Sequence, residues 1–500
     1  MASLFSTLQF TGGMNDWVHP GLLPSNFAAK LINAEVSSGK IVPIKKPVLL
    51  ANNNPVFYGH YGTRDRSVVK WYDRNYWSNN TAIVSGFYGG DVENYIGIPY
   101  PAYSGASANV SIADSTPGEG ETGLTGDFKY CVCFVNANGW EGAPGSLTEY
   151  EMSYSLTDGF ASITVTWSDA RVHHAKIYRT IDKGADFYHV GDVTTSGASF
   201  TDKTTDTMLQ LMNPLTTINN YPPPDRGKYL CEYDGVFFLA VDSNLYFSAQ
   251  SNPHAWPTLQ FISFDDTITG IVPEFQGILV FTANNIFRVV GANSSETITK
   301  TYIPGNHGCI NFRSISVLNN APIWYSNDGI CLWDGSSVTV NSYQVLKTDN
   351  LVVEYAVSAN DCYFLFHSSG CIVLDQKNGG IFYELDFSCD YSWYDGTTGI
   401  MYLLAGNALY RYGYGTNLKA IYQSPNIGGA ESIIKVFREL ILNSDGSCAI
   451  SVFVDGSQIA VLYLSGGRQR VKLPMNAIGK YLLLQVESSD DINELAVIYD

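Results

Sequence analysis

Residue types that perform catalysis or bind metals are present in the chain, but their spacing defines few sites. Two adjacent histidines, His173 and His174, lie in a predicted strand, where consecutive side chains point to opposite faces. A zinc site needs about four ligands, and the surrounding sequence offers no partners at a suitable spacing. We therefore expect no metal site and no cofactor.

The cysteines do not form a metal or redox motif. There are nine of them, an odd number, with no Cys-x-x-Cys pair. Cys131 and Cys133 lie two apart in a strand-like run, so their side chains face the same side. The prediction is buried free thiols, and a metal or disulfide role for this pair is the alternative.

Two charged segments have the composition of binding sites. The segment Arg64–Trp77 mixes basic and aromatic residues, as nucleic-acid and sugar platforms do. Asp65 and Asp73 reduce its net charge, which favours a blade edge or a subunit contact. The acidic cluster Glu487–Glu494 lacks the glycine-centred spacing of a calcium loop, which favours a solvated turn.

Catalytic motifs do not occur in the sequence. The glycine-rich segment 113–127 lacks the Gly-Lys-Ser/Thr ending of a phosphate-binding loop, which indicates a linker. Neither Gly-x-Ser-x-Gly nor His-Glu-x-x-His is found. Glycoside hydrolysis needs a pair of carboxylates, and no motif singles out a pair among the 47 acidic residues. We expect no catalytic residue and a protein that is not an enzyme.

The composition favours strands. Aromatic residues make up 13% of the chain, and charged residues only 15%, against about 25% in typical domains. The formal net charge of −18 is spread along the chain, which argues against binding nucleic acid by phosphate neutralisation. The beginning of the sequence lacks a basic n-region, and no window approaches the roughly 20 apolar residues of a membrane span. A soluble protein outside the general secretion route is expected.

A repeat of strand, turn and strand occurs five times in the second half. One copy is WYSNDGICLWDG, Trp324–Gly335, whose two Asp-Gly turns need positive φ. Successive copies are 41, 44, 41 and 38 residues apart, measured between the first apolar residues after the turns: Leu245, Ile286, Ile330, Cys371 and Leu409. A period of about 40–45 residues with short strands is typical of propeller blades. A sixth blade is predicted at Pro55–Asp73.

Two related repeat families do not match this pattern. A sialidase Asp-box separates its Asp and Gly, whereas Asp328 and Gly329 are adjacent. A WD repeat carries a Gly-His pair near the start of each blade, and these copies do not. The favoured interpretation of the Asp-Gly pairs is structural turns.

The remaining segments predict further β domains. Period-2 strands between 111 and 220 predict an inserted sandwich, which resembles a fibronectin type III module at Tyr130, Trp167 and Tyr178. The segment NNYPPPDRGKYL, 219–230, predicts a stiff polyproline-like connector. The predicted fold is an all-β propeller of about six blades with this insertion. Its domains are a platform or interaction segment at 1–50, a first blade region at 51–110, the insertion at 111–220, blades at 221–430, and a small sandwich or closing blade at 431–500.

Several stretches resemble a known family in their order along nearly the whole chain. They are GGMNDWVHPGLLPSNFAAKLINAEVSSGKIVPIKKP (12–47), LYFSAQSNPHAWP (245–257), LVFTANNIFRVVG (279–291), GCINFRSI (308–315) and YSNDGICLWDG (325–335). They are similar to the tail nozzle, or lower tail tubular protein, of short-tailed bacteriophages. The inserted module and the terminal β domain fit the same resemblance.

The resemblance implies a structural virion protein in the phage tail, assembled in the host cytoplasm. It implies a homohexameric ring that conducts double-stranded DNA without specific binding. It also implies contacts with the upper tail ring or adaptor and with the tail fibres. The residues that line such a channel are unknown at this level. Two alternatives stay open: a propeller that binds or cleaves host-surface carbohydrate, and an intracellular interaction scaffold.

Overall fold

A computed structural model describes residues 4–20, 22–52, 68–71, 74–78, 83–87, 94–105, 108–291, 298–347, 351–428 and 433–500. The chain divides into two compact units. Unit 1 comprises Met1–Arg64, Glu274–Phe287 and Tyr302–Asp500, and unit 2 comprises Asp65–Pro273 and Arg288–Thr301. The regular structure is nearly all β, which confirms the predicted fold class. Over these ranges the structure has no helix long and apolar enough to cross a bilayer.

The first five strands belong to unit 1. They are β1 (Leu4–Leu8), β2 (Lys30–Ile32), β3 (Ala34–Ser37), β4 (Lys40–Pro43) and β5 (Val48–Asn52). Strands β3 and β4 form a hairpin, and the other three pair with strands much later in the sequence.

Unit 2 begins with a four-stranded antiparallel sheet. Its strands are β6 (Val68–Trp71), β7 (Arg74–Ser78), β8 (Ile83–Phe87) and β9 (Asn94–Tyr95). This sheet is the sixth blade that the sequence predicts. Val69 lies in its first strand, and residues 55–67, 72 and 73 of the predicted segment lie outside the described residues.

The inserted module follows in unit 2. It contains β10 (Val110–Ser115), β11 (Leu124–Val135), β12 (Met152–Val165), β13 (His174–Thr180), β14 (Phe187–Val193), β15 (Ser199–Asp202) and the short helix α1 (Asp206–Leu209). The long strand β12 pairs with β11 through its first half and with β10 and β15 through its second half. Both groups of strands contribute to one core, with Phe128 and Val132 on one side and Ile163 on the other. The β module is present where the sequence predicts it, and its fibronectin type III character stays a prediction.

Three more four-stranded sheets follow along the chain. The first, in unit 2, contains β16 (Lys228–Tyr233), β17 (Val236–Val241), β18 (Asn244–Phe247) and β19 (Phe261–Ser263). The second, whose residues are divided between the two units, contains β20 (Gly270–Glu274), β21 (Gly277–Phe281), β22 (Ile286–Val290) and β23 (Thr299–Ile303). The third, in unit 1, follows a 3-10 turn at Phe312–Ser314 and contains β24 (Ser316–Leu318), β25 (Ala321–Ser326), β26 (Gly329–Trp333) and β27 (Val338–Val340).

The last two repeats also belong to unit 1. One consists of β28 (Val353–Ala359), β29 (Cys362–His367), β30 (Gly370–Asp375) and β31 (Ile381–Leu385). The other has only three strands of its own, β32 (Tyr391–Asp395), β33 (Ile400–Ala405) and β34 (Ala408–Arg411). Its fourth strand is β5, which pairs antiparallel with β34. Six sets of four antiparallel strands therefore result, which is the composition of a six-bladed β-propeller.

The repeat found in the sequence corresponds to one position in each sheet. The predicted repeat residues all lie in the third strand of a four-stranded set: Leu245 in β18, Ile286 in β22, Ile330 in β26, Cys371 in β30 and Leu409 in β34. The blade periodicity predicted for the second half is confirmed.

The C-terminal strands form two sheets together with N-terminal strands. They are β35 (Ala420–Gln423), β36 (Lys435–Ser444), β37 (Cys448–Val454), β38 (Ser457–Leu464), β39 (Gly467–Lys472), β40 (Ile478–Gly479), β41 (Leu482–Ser488) and β42 (Ile492–Tyr499). One sheet has the order β3-β4-β42-β36-β39, with β1 on β42 and β40 on β36. The other continues from β31 through β2 to β35, β41, β37 and β38.

A shared core makes these two sheets a terminal β-sandwich. Leu440 and Val497 of the first sheet and Ile450 and Val486 of the second belong to one buried cluster. Alternation of buried and less buried residues along β37 and β41 is the pattern of strands with one face in a core. Of the two predicted forms of this region, the structure has the sandwich, because β5 completes the last blade. Residues 1–50 and 431–500, predicted as separate domains, have strands in common sheets.

The hairpin of β25 and β26, one copy of the repeat, is stabilised by the packing and hydrogen bonding of Trp324. Trp324 is fully buried, and its Nε1 donates to the carbonyl of His307 at 2.8 Å. Its ring packs on Phe281 with 5.0 Å between centroids. Gly329 and Gly335 have φ values of 120° and 97°, so the positive φ predicted for both Asp-Gly turns is confirmed.

Replacing Trp324 with Ala is expected to destabilise unit 1 by about 3–5 kcal/mol, because a fully buried aromatic side chain is lost. Urea unfolding followed by circular dichroism measures the change. The control is Trp17→Ala, since Trp17 is 46% exposed and a surface change has little effect. Equal effects of the two substitutions would contradict the central packing role of Trp324.

Candidate functional site

The histidine pair lies at the beginning of β13. His173 precedes the strand and His174 is its first residue. Their rings contact each other with 5.3 Å between centroids, and their Nδ1 atoms are 3.1 Å apart. Desolvation by burial lowers the pKa of His174. The expectation of opposite faces is wrong, because strand alternation begins only at His174.

Two other histidines each contact one carboxylate. His307 Nδ1 lies 2.8 Å from Asp328 Oδ2, and His189 Nε2 lies 2.8 Å from Asp192 Oδ1. Each pair has fewer ligands than a zinc site requires. In the ranges that the structure describes, no group of three or more His, Cys, Asp or Glu side chains is able to hold a metal. The expectation of no metal and no cofactor stays a prediction.

The aromatic and basic segment Arg64–Trp77 is described only at the backbone of two strands. Strands β6 and β7 form an antiparallel hairpin with Trp71 opposite Arg74. Its backbone therefore belongs to a blade, and the platform role of its side chains lies outside the described residues.

The glycine-rich segment 113–127 connects β10 and β11. Within it Glu121 accepts from the backbone N–H of Gly118 at 2.9 Å and pairs with Lys203 at 2.6 Å. A carboxylate that faces the loop backbone repels phosphate. The predicted linker role fits this geometry.

The acidic cluster at Glu487–Glu494 forms a turn between β41 and β42. Glu487 pairs with Lys419, and Glu494 accepts two hydrogen bonds from Arg468 at 2.9 and 3.0 Å. Each of these two carboxylates therefore pairs with a cationic side chain, Lys419 just before β35 and Arg468 in β39. The turn itself is residues 489–491, where Ser489 and Asp490 are exposed, whereas Ser488 and Ile492 beside it are buried in the strands.

All nine cysteines are buried and free. Cys131 and Cys133 pack with Tyr178 and Phe187 in a small cluster of the inserted module. Burial raises the pKa of both thiols, which keeps them protonated and poorly nucleophilic. The prediction of buried free thiols is confirmed.

Glu141 lies beside this cluster with its oxygens occupied. It accepts from Lys176 Nζ at 2.9 Å, from the Tyr178 hydroxyl at 2.8 Å and from Thr217 Oγ1 at 2.8 Å. These hydrogen bonds connect the loop that contains Glu141 to strand β13 and to the segment around Thr217. Its role in this arrangement is structural.

A buried ion pair supports the other side of the module. The side chains of Arg179 and Asp202 are both fully buried, with 3.2 Å between Nη1 and Oδ2. The Tyr130 hydroxyl donates to Asp202 Oδ2 at 3.0 Å, and the guanidinium lies 4.6 Å from the ring centre of Phe128. Arg179 also donates to Asp206 Oδ1 at 2.8 Å. Both side chains of the ion pair are fully buried, and neither lines the cleft described below.

Glu35 and Asp375 form an acidic pair in unit 1. Desolvation by burial is the first cause that raises the pKa of Glu35, and the charge of Asp375 is the second. Asp375 is fully buried and accepts from Asn378 Nδ2 at 2.7 Å. A carboxylate with a raised pKa beside a second carboxylate is also found in acid catalysts. Here both residues lie in packed strands, and neither lines the cleft described next.

A cleft of about 640 Å³ lies in unit 2. This volume is within the roughly 300–1,000 Å³ of small-molecule sites. The apolar part of its wall includes Tyr100, Leu147, Tyr221 and the prolines 222–224. The polar part consists of Ser146, Thr148, Arg171, Asp225 and Thr258.

Gly97 lies next to the lining residue Ile96 and packs against two of the wall prolines. It has a φ of 91°, its N–H donates to His254 Nδ1 at 3.3 Å, and its carbonyl accepts from Arg171 Nη1 at 3.2 Å. A Cβ at this position would lie 2.6 Å from Pro223 and 2.7 Å from Pro222. Only glycine permits this approach, so the proline wall is held against the strand end by backbone contact.

Arg171 is held in one orientation. Its Nε donates to Asp169 Oδ1 at 3.0 Å and its Nη2 donates to Asp169 Oδ2 at 2.7 Å. These hydrogen bonds lower the pKa of Asp169, which keeps the carboxylate ionised. With the bond to Gly97, three of the five guanidinium N–H groups are used. Among the described residues, the structure gives the other two no hydrogen-bond partner.

The sequence alone does not predict this cleft. It combines the end of β9, the loop after β11, the turn before β13 and the segment 221–225, which are far apart in sequence. The one signal was the run of three prolines, interpreted as a connector. Nothing in a single sequence relates it to Arg171.

Comparisons with known proteins give fold-level likeness at most. No protein-family model and no curated protein matches the chain. Among solved structures, BamB from Moraxella catarrhalis is similar over 75% of this chain and 100% of its own, at 9% identity and a TM-score of 0.30. The extracellular domain of a one component system from B. thetaiotaomicron is similar over 95% and 76%, at 10% identity and a TM-score of 0.30. Such low scores carry no argument about function.

The buried ion pair generates a stability prediction. Asp202→Asn leaves the Arg179 charge without its buried partner, and we expect a loss of about 3–5 kcal/mol in the unfolding free energy of the module. The matched control is Glu121→Gln, which breaks the exposed pair with Lys203 and is expected to change nothing measurable. Urea unfolding compares the two variants. A stable Asp202→Asn variant would show that the pair is dispensable.

The raised pKa of Glu35 predicts that the stability effect of replacing this residue depends on pH. Because its folded-state pKa lies above the unfolded value, its contribution to stability is present below the unfolded pKa and is lost as pH rises through the folded pKa. Glu35→Gln is therefore expected to raise the thermal midpoint at about pH 7 more than at about pH 3.5. The exposed Glu119 provides the control substitution Glu119→Gln. The same shift at both pH values would argue against an electrostatic cause.

Proposed function

We propose that the chain is a structural virion protein, the distal nozzle of a short phage tail, which assembles into a ring-shaped conduit for DNA ejection. The observation that carries the proposal is the order of modules. One blade precedes the inserted β module, five more blades follow, and a terminal sandwich ends the described chain. This is the order that the sequence resemblance implies. The proposed partners are further copies of the chain, the upper tail ring or adaptor, and tail fibres.

The charge of the chain supports passage of DNA rather than binding. Between residues 111 and 220, fourteen acidic and six basic residues give the inserted module a net charge of −8, within −18 for the chain. An acidic wall repels phosphate, so duplex DNA passes it without the counterion-release affinity of basic grooves.

Exposed apolar side chains support self-assembly. In the inserted module, α1 and the loop after it expose Met208 by 57% and Leu211 by 85%. Met212 follows at 41%. Adjacent exposed apolar residues are typical of protein interfaces. We assign this segment to a contact between subunits.

A second candidate function, binding of host-surface carbohydrate, is favoured by the cleft beside Gly97. It does not exclude the first, because a tail protein meets the host surface. The third alternative, an intracellular scaffold, has no such specific observation.

The proposed six-membered ring determines the mass expected for the purified protein in solution. Light scattering is expected to give a mass near six times the 54.9 kDa of one chain, either alone or after mixing with tail fragments from the same source. Leu211→Asp places a charge in the proposed contact and is expected to shift the population towards single chains. The control is Thr216→Asp, a change at an exposed residue of the same loop.

Two results would contradict the proposal. A single chain that stays single with tail fragments would remove the ring. Tight, salt-sensitive binding of duplex DNA by the isolated protein would contradict passage without binding.

A further inference from the structure

The cleft of unit 2 has the wall of a binding site for a polyhydroxylated ligand. We propose that it binds a short segment of a neutral oligosaccharide. The proposal does not depend on the ring, because every residue that lines the cleft belongs to unit 2 of one chain.

The apolar wall provides flat surface for sugar rings. Tyr100 is 41% exposed, and its ring packs at 76° against the buried ring of Tyr221, with 6.1 Å between centroids. Three consecutive prolines extend the surface with rigid rings. The C–H faces of a pyranose pack on such rings, and the rigid proline rings lose little conformational entropy on binding.

The polar groups provide both donors and acceptors. Arg171 is oriented by Asp169 and the carbonyl of Gly97 and has two N–H groups left. Asp225 is exposed, and the structure gives its carboxylate no hydrogen bond within the described ranges. Each sugar hydroxyl donates one hydrogen bond and accepts others, so a vicinal pair matches an arginine and a carboxylate in the same wall.

The charge of the wall disfavours other ligand classes. Asp225 and the net charge of −18 repel phosphates and acidic sugars, and Arg171 repels cations. A wholly apolar ligand would cover the Asp225 carboxylate and the remaining N–H groups of Arg171 without offering them a hydrogen bond. Prolines 222–224 have no backbone N–H, so this wall cannot pair with a peptide as a sheet edge does.

The oligosaccharide is expected to be a segment of a longer chain rather than an enclosed monosaccharide. The cleft is open, with the exposed side chains of Leu147 and Tyr100 on its wall. A wall of this kind binds with modest affinity, in roughly the millimolar to micromolar range.

The test is calorimetric titration of the full chain with linear tetrasaccharides of glucose, galactose and mannose. We expect at least one to bind. Tyr100→Ala and Asp225→Asn are expected to weaken that binding at least about tenfold, which corresponds to about 1.4 kcal/mol. Tyr100→Phe keeps the ring and is expected to bind within about twofold of the natural chain, which separates a stacking role from loss of folding.

The matched control is Tyr343→Ala, since Tyr343 is 64% exposed and lies in unit 1. It is expected to bind as the natural chain does. Absence of binding to all three tetrasaccharides at about 10 mM would overturn the proposal. Sugar binding that neither Tyr100→Ala nor Asp225→Asn weakens would also overturn it. So would a result in which no sugar binds but a decaproline peptide does, and Tyr100→Ala abolishes the binding of that peptide. Each outcome is independent of the mass of the assembly.

Discussion

The antiparallel pairing of β5 with β34 is the contact on which the arrangement of unit 1 depends. The last repeat has three strands of its own, and its fourth comes from Val48–Asn52, with Val48 opposite Arg411. Without β5, the backbone of β34 would be an unpaired edge, open to association with other chains. The same N-terminal region places β1 on β42, with Leu4 opposite Tyr499, so the first and last described strands pair in one sheet.

This closure explains why the terminal region is a sandwich rather than a seventh blade. With the sixth set of strands completed by β5, the strands after Arg411 pair with β2 and β4 instead. The sandwich and the last blades share one hydrophobic cluster, so the N-terminal strands stabilise both. Contacts between residues hundreds of positions apart also predict slow folding of this unit, because a long loop is closed before they form.

Local patterns predicted much of the blade region. Leu245, Ile330 and Cys371 lie in equivalent third strands, where each follows a tight turn and is buried in a core. Both features can be predicted from the residues next to them in the sequence. The pairing of β5 has no such signal, since edge strands at opposite ends of the chain recognise each other only through the folded sheet. The prediction that His173 and His174 face opposite sides was wrong because β13 begins only at His174, one residue later than expected. The cleft could not be predicted because Gly97, Arg171 and the prolines are far apart in the sequence and come into contact only in the folded chain.

The described chain consists of the four-stranded sheets of a propeller, an inserted β module and a terminal sandwich. The proposed conduit is tested most directly by electron cryomicroscopy of the purified, assembled protein. It predicts a closed ring with a central channel wide enough for duplex DNA and with Asp and Glu side chains on its wall. Particles without a channel, or a channel lined by Lys and Arg, would contradict it.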